Sequence, residues 1–195
     1  MSHDFFAYIS RMKYIARWSL MRSADAENIQ EHSHMVAVLA HALGLIRREV
    51  FHRDCDVNAL AAVALYHDAP EILTGDLPTP IKYHSRSVKA AYDEVEAVAA
   101  EKLLSALPEA LRPAYRELLT APEREEEHAL VKAADTLSAY IKCVEERRAG
   151  SREFLSAEAA SREKLEAMDL TEVRYFLEHF MPGFEKNLDE LGTLE

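Results

Sequence analysis

Glycine and proline are scarce, with 5 and 7 copies among 195 residues, and no run of β-branched residues alternates with a period of two. Few turn-formers and no strand pattern exclude a protein built on β-sheets. Cysteine is scarcer still: Cys55 and Cys143 lie far apart and form no CxxC pair, which excludes a disulfide framework or a thiolate zinc site. Positive charge is also in short supply. The 23 lysines and arginines face 34 acidic residues, for a net charge of −11. That balance provides no broad field for a nucleic-acid polymer or an anionic membrane, so any phosphate must be met locally. No apolar run reaches the roughly 18 residues of a membrane span, and charges interrupt the N-terminus before a signal core forms. A cytoplasmic location is therefore expected.

What the chain has in abundance is alanine, 30 residues of it, within a composition that is 49% hydrophobic. That composition predicts a single all-α domain over residues 1–195, a helical bundle of about seven or more helices. Phe5, Ile9, Met12 and Ile15 or Ala16 recur at steps of three and four, predicting a first helix over residues 4–21. Arg22 to Glu27 reads as a connection. Asn28 with Glu31 three positions on forms a capping box for a second helix carrying His32. Asp56 caps a third, almost wholly apolar helix that ends near His67 and Asp68. Leu73 to Pro80 holds one glycine and two prolines and reads as an ordered loop. Further helices are expected from Val88 to near Pro108, around Leu111 to Leu118 before Pro122, and from His128 to Arg148 with Asp135 inside and Gly150 as its cap. The acidic run Glu125 to Glu127 reads as a solvated helix start. Two C-terminal helices, the second interrupted at Pro182-Gly183, are expected to pack on a functional unit within residues 1–150.

Four polar residues fall on otherwise apolar helices: His32, His67, Asp68 and Asp135. A buried imidazole or carboxylate without a partner is costly, so each should be paired, hydrogen-bonded or bound to a cation. Two imidazoles and two carboxylates from three helices can meet as a mixed nitrogen and oxygen site for a divalent ion. Taken singly, each has a plainer reading: His32 as a surface residue of a helix start, His67-Asp68 as a chance dipeptide, Asp135 as solvent-facing.

The order H…HD…D on successive helices resembles the HD-domain phosphohydrolases. The segments Arg17-Trp18-Ser19-Leu20-Met21-Arg22, Glu27-Asn28 with Glu31-His32-Ser33, Tyr66-His67-Asp68-Ala69 with Glu71, Leu73-Thr74-Gly75-Asp76-Leu77-Pro78-Thr79-Pro80-Ile81-Lys82-Tyr83, and Lys132 with Ala134-Asp135 narrow it further. Together they resemble the bacterial YfbR-like 5′-deoxynucleotidases across about the first 150 residues. The resemblance implies a homodimeric enzyme that hydrolyses 2′-deoxyribonucleoside 5′-monophosphates to deoxynucleoside and phosphate. It also implies one divalent ion per chain on His32, His67, Asp68 and Asp135, with cobalt, manganese, zinc, copper, iron and nickel all compatible with the donors. Such an ion polarises a phosphate oxygen and activates water.

Other roles follow from the same likeness. Arg17 offers a guanidinium fork for phosphate oxygens, although an arginine on an amphipathic helix is ordinarily solvated. Trp18, the single tryptophan, is by composition a core or interface residue; the resemblance implies that it orients the phosphate and crowds a ribose 2′-hydroxyl. Glu71, four residues after His67, is expected to act as general acid/base if helix continues past Asp68, and otherwise reads as an exposed helix-end glutamate. Asp76, Leu77, Pro78 and Thr79 are expected to meet sugar and phosphate, with His32, Asp68 and Asp135 also lining the substrate site; Asp76 equally suits a turn. Little base selectivity is expected. Two rivals stand beside this reading: a non-catalytic HD-domain nucleotide sensor, and an HD phosphohydrolase acting on another nucleotide phosphoester.

Overall fold

The structure, a computed structural model, describes residues 2–82, 84–119 and 125–192. Tyr83 of the loop motif and the helix boundary at Pro122 lie outside the described residues. Among the described residues there is no β-strand, and the architecture is all-α as the composition requires. Helix α1 spans Phe5–Ile9 and α2 spans Ile29–Leu45, running on through a wider turn over Ile46–Val50. Then come α3 (Val57–Tyr66), α4 (Glu71–Thr74), α5 (Thr79–Lys82) and α6 (Arg86–Ser105). The chain closes with α7 (Arg112–Leu119), α8 (Glu125–Arg148), α9 (Leu155–Ala167) and α10 (Thr171–His179).

The core forms where α2, α3 and α8 press their apolar faces together. Val36, Leu39 and Leu43 of α2 meet Leu60 and Ala64 of α3 and Leu130, Leu137 and Ile141 of α8. Gly44 lets α2 and α3 approach closely, because a Cβ there would stand 3.1 Å from Leu60 Cδ1 and 3.3 Å from Val57 Cγ1. The C-terminal helices add Leu165, Val173 and Phe176 to the same core. A buried ion pair also ties α10 to α2: Arg47 donates to Glu172 at 3.2 Å, and reaches Glu126 at the start of α8. A second cluster, with Phe5, Ala69, Leu103, Leu104 and Leu107, seats α1 and α6 beneath the turn after α3.

The capping box at Asn28 forms as the sequence predicts. Its side chain accepts from the N–H groups of Gln30 and Glu31, and Glu31 accepts from the N–H of Asn28. Asp56 caps α3 by accepting from the N–H of Ala59, and Ser85 caps α6 by accepting from that of Val88. Gly150, at φ 93°, ends α8, and the N–H of Ser151 bonds back to the Glu146 carbonyl.

The first helix is a correction. Residues 4–21 do not form one helix; α1 ends at Ile9, a short 3-10 turn covers Met12–Tyr14, and the chain then runs extended. Long-range pairing overrides the apolar spacing there. Ala16 forms an antiparallel bridge with Asn28, the N–H of Arg17 donates to the Glu27 carbonyl at 2.9 Å, and that of Ile29 donates to Ile15 at 3.0 Å. Trp18 sits at φ 57°, a left-handed conformation incompatible with helix. Helix α3 likewise stops at Tyr66, just short of His67. From there the N–H groups of Ala69, Glu71, Ile72 and Leu73 each bond three residues back, a tighter winding that passes Pro70, which has no N–H to give.

Candidate active site

Three elements deliver the four expected ligand residues to one place. Helix α2 places His32 one turn from its start, completely buried. The tight turn after α3 presents His67 and Asp68, and α8 presents Asp135 across the core seam. His32 Nε2 lies 3.1 Å from Asp135 Oδ1 and 3.5 Å from Asp68 Oδ2, and His67 Nε2 lies 3.2 Å from Asp68 Oδ1. His32, His67 and Asp135 turn ligand atoms that all fall within 4.8 Å of one another. Among the described residues no other group of three such side chains converges this way.

Hydrogen bonds fix how the imidazoles face. His67 Nδ1 donates to the Ala64 carbonyl at 2.7 Å, so the neutral ring carries its lone pair on Nε2. His32 Nδ1 shares a 3.1 Å hydrogen bond with Ser138 Oγ, which leaves its Nε2 toward the carboxylates. His67 Nε2 is buried and, despite its nearness to Asp68, has no hydrogen bond of acceptable geometry. An unpaired buried polar atom costs about 1–3 kcal/mol. A divalent cation would remove that deficit, and two imidazole nitrogens with two carboxylates are a donor set that divalent transition ions accept. The residues present fit the expected ion.

The electrostatics are those of a site short of positive charge. Burial disfavours the charged imidazolium of His67, yet the Asp68 carboxylate beside it raises its pKa to about 9. Burial opposes ionisation of Asp135 as well, but His32 and His67 hold it low, at about 2. Asp68 is likewise held below the usual carboxylate range by His67, His32 and Arg17, against its burial.

Glu71 stands where the turn after Asp68 enters α4. It is 5% exposed, its Oε2 has no hydrogen-bond partner, and burial together with Asp68 and Asp76 pushes its pKa up to about 9. The exposed helix-end reading of this residue therefore fails. Asp76 follows Gly75, whose φ of 76° turns the chain. Burial raises the Asp76 pKa, and its charge is felt by Arg17, Asp68 and His32, which places it at the same site. Tyr92 of α6 pins this loop by donating to the Gly75 carbonyl at 3.1 Å, and Lys82 reaches Glu96 at 2.9 Å. Leu77 and Pro78 are half-buried and Thr79 is exposed. No described hydrogen bond or ion pair joins these three side chains to the cluster.

Arg17 and Trp18 enter from the extended segment. Arg17 Nη1 lies 3.5 Å from Asp68 Oδ2, and its Nε donates to Glu27 Oε2 at 3.0 Å. Burial works against the Arg17 charge, but Asp68, Asp135 and Glu27 more than hold it in place. Trp18 Nε1 donates to the same Glu27 oxygen at 2.8 Å, and its ring packs on buried Phe154 with centroids 5.3 Å apart. Glu27 and Ser138 are the two participants that reading by residue type passes over. Ser138 follows Asp135 by three on α8, so helical spacing alone puts them on one face; for Glu27 no local signal exists.

The chain is similar to known proteins over nearly its whole length. A model of the family described as 5′-deoxynucleotidase YfbR-like matches residues 4–184. A 5′-deoxynucleotidase of Erwinia tasmaniensis is 47% identical over 189 residues, covering 96% of each chain. One of Yersinia pestis is 47% identical over 193 residues, 98% of each. Among solved structures, an HD-domain phosphohydrolase of Listeria innocua superposes with a TM-score of 0.81 over 93% of this chain and 88% of its own, at 24% identity, a likeness of fold. With the family model spanning nearly the whole chain and full-length relatives near half identity, the chain belongs to the YfbR-like 5′-deoxynucleotidase family.

Proposed function

We propose that the protein hydrolyses 2′-deoxyribonucleoside 5′-monophosphates to deoxynucleoside and phosphate, using one divalent ion held by His32, His67, Asp68 and Asp135. The observation that carries the reading is the convergence of ligand atoms of His32, His67 and Asp135 within 4.8 Å of one another, with Asp68 and Arg17 beside them, in a chain of this family. When bound, the ion polarises a phosphate oxygen and makes water a nucleophile near neutral pH. Arg17 contributes the remaining positive charge; with Nε given to Glu27 and Nη1 reaching Asp68, Nη2 is the amino group left for phosphate oxygens.

Glu71 supplies the proton. Water attacks phosphorus, the bond from phosphorus to the 5′-oxygen breaks, and the leaving oxygen takes a proton from the Glu71 carboxyl, whose protonated form burial favours. The proton shed by the attacking water passes to solvent, from which Glu71 is reprotonated. Asp76 accepts a hydrogen bond from the sugar 3′-hydroxyl, and Trp18 crowds the position of a ribose 2′-hydroxyl. Leu77, Pro78 and Thr79 serve as loop contacts to sugar and phosphate. The base is left unselected, because the residues gathered here answer to metal, phosphate and sugar. Cobalt, manganese, zinc, copper, iron and nickel are the ions to test. The reading includes a homodimer working in the cytoplasm. Cys55 and Cys143 are buried and unpaired, in keeping with a reducing compartment, and no helix among the described residues is long and apolar enough to cross a membrane.

The test is release of inorganic phosphate from deoxy and ribo monophosphates of all bases by chelated protein, with divalent ions restored singly. Metal-dependent release across the deoxy series, with the ribo series far slower, is the expected result. Absence of release from every deoxy monophosphate refutes the activity, and equal rates on both series refute the sugar selection.

A further inference from the structure

Glu27 lies between the two residues read above as phosphate and sugar contacts, and one of its oxygens serves both. Oε2 accepts from Arg17 Nε at 3.0 Å and from Trp18 Nε1 at 2.8 Å, with both Glu27 and Arg17 side chains largely buried, 14% and 13% exposed. A guanidinium and an indole sharing one acceptor cannot turn independently. The backbone reinforces the arrangement: the Glu27 carbonyl accepts from the N–H of Arg17, and Trp18 occupies a left-handed conformation that other residue types favour.

The chain just before Glu27 is tied to α8. Glu146 of α8 accepts from the backbone N–H groups of Ala24 and Asp25 at 2.7 and 3.2 Å, and Lys142 Nζ donates to the Asp25 carbonyl at 2.6 Å. Lys142 and Glu146 are nearly fully buried and paired with each other at 2.7 Å. The helix that presents Asp135 thus also carries the strap ending at Glu27.

We infer that Glu27 is a positioning residue that locks Arg17 and Trp18 into one unit, so that phosphate affinity and discrimination between deoxyribose and ribose rise and fall together. This inference rests on the proposed activity. A side chain that only stabilised the fold would weaken both substrates alike. One that sets the Trp18 ring against the sugar changes their ratio.

The experiment uses metal-loaded full-length protein, wild type and the variants Glu27→Ala and Glu27→Gln, with deoxyadenosine and adenosine 5′-monophosphates as substrates. Metal content and unfolding temperature are recorded alongside. Trp18 is the single tryptophan, so emission reports its surroundings directly, with inorganic phosphate as the titrant. In Glu27→Ala the deoxy-to-ribo ratio of kcat/KM falls by about tenfold, a loss typical of removing an outer hydrogen-bond partner. KM rises more than kcat falls, and the emission shifts while metal content stays unchanged. Glu27→Gln, whose amide oxygen accepts both N–H groups, restores most of the ratio and the emission. Unchanged ratio and emission in Glu27→Ala overturn the inference, as does an equal loss on both substrates that tracks a lower unfolding temperature in both variants. Should wild type turn over neither nucleotide, the proposed activity fails and emission decides Glu27 alone, an unshifted spectrum in Glu27→Ala overturning the inference.

Discussion

The ligand cluster and the chain that borders it are built from opposite kinds of backbone. His32 and Asp135 stand on long helices packed against each other through Val36, Leu43, Leu130 and Leu137, so their positions follow from core packing. Arg17 sits on a bridged segment, Trp18 on the left-handed residue after it, Glu71 at the start of α4 and Asp76 on a glycine-hinged loop, placed by local turns and individual hydrogen bonds. The first region uses the stability of the whole fold to bring two imidazoles and two carboxylates together. The second is held by a few specific bonds, and single substitutions should disturb it without disturbing the core.

Removing a ligand should break the first region most severely. Asp68→Ala is expected to abolish metal binding and turnover together, with the helical content unchanged; calorimetric metal titration and phosphate release check it. Loss of the proton donor comes next. Glu71→Gln is expected to lower kcat by about 10²- to 10⁴-fold, the usual contribution of general acid catalysis, while retaining the ion.

The same residue predicts a pH effect on metal-free protein. Glu71 and His67 both have folded pKa values raised to about 9, so the folded state binds more protons than the unfolded one between the ordinary values of these groups and about pH 9. Stability therefore falls as pH rises through that window, and the contribution is complete only below the unfolded values. Thermal unfolding of chelated protein should show the highest midpoint near the acidic end, and Glu71→Gln should flatten the dependence. Asp68 and Asp135, held low, act in the opposite sense and only in stronger acid.

Smaller effects separate the two regions further. Ser138→Ala removes the hydrogen bond that orients His32 and should weaken metal affinity by about 10- to 100-fold, measured against a competing chelator, with little change in KM once the ion is saturating. Gly75→Ala places a Cβ on a residue at φ 76°, in open space, so conformation alone is penalised. A loss of about 1–3 kcal/mol in stability is expected from denaturant unfolding, with metal affinity retained.

What could be read from the sequence divides along the same line. His32, His67, Asp68 and Asp135 stood out because each interrupts an apolar helical pattern, and the capping box at Asn28 and Glu31 is a local signal with a local cause. The course of residues 10–21 was misread because its apolar spacing is satisfied locally by helix, while the observed path is dictated by pairing with Glu27–Ile29, a partner that spacing cannot reveal. Glu71 was expected to face His67 only if helix continued past Asp68, and that condition is not met. Helix α3 does not continue past Asp68, yet the three-residue winding through Pro70 still buries the carboxylate. Glu27 entered the sequence reading only as part of the Glu27-Asn28 segment that carries the resemblance, and its role was not legible, since its two donors reach it only after the strap has folded back.

The central claim is that one ion on the four-residue cluster makes this chain a deoxynucleotidase. Chelated protein titrated with a single kind of divalent ion, while phosphate release from a deoxynucleoside 5′-monophosphate is followed, tests it most directly. Activity is expected to rise linearly and to saturate at one ion per chain. Full activity that requires two ions per chain, or no activity with any ion at saturation, would contradict it.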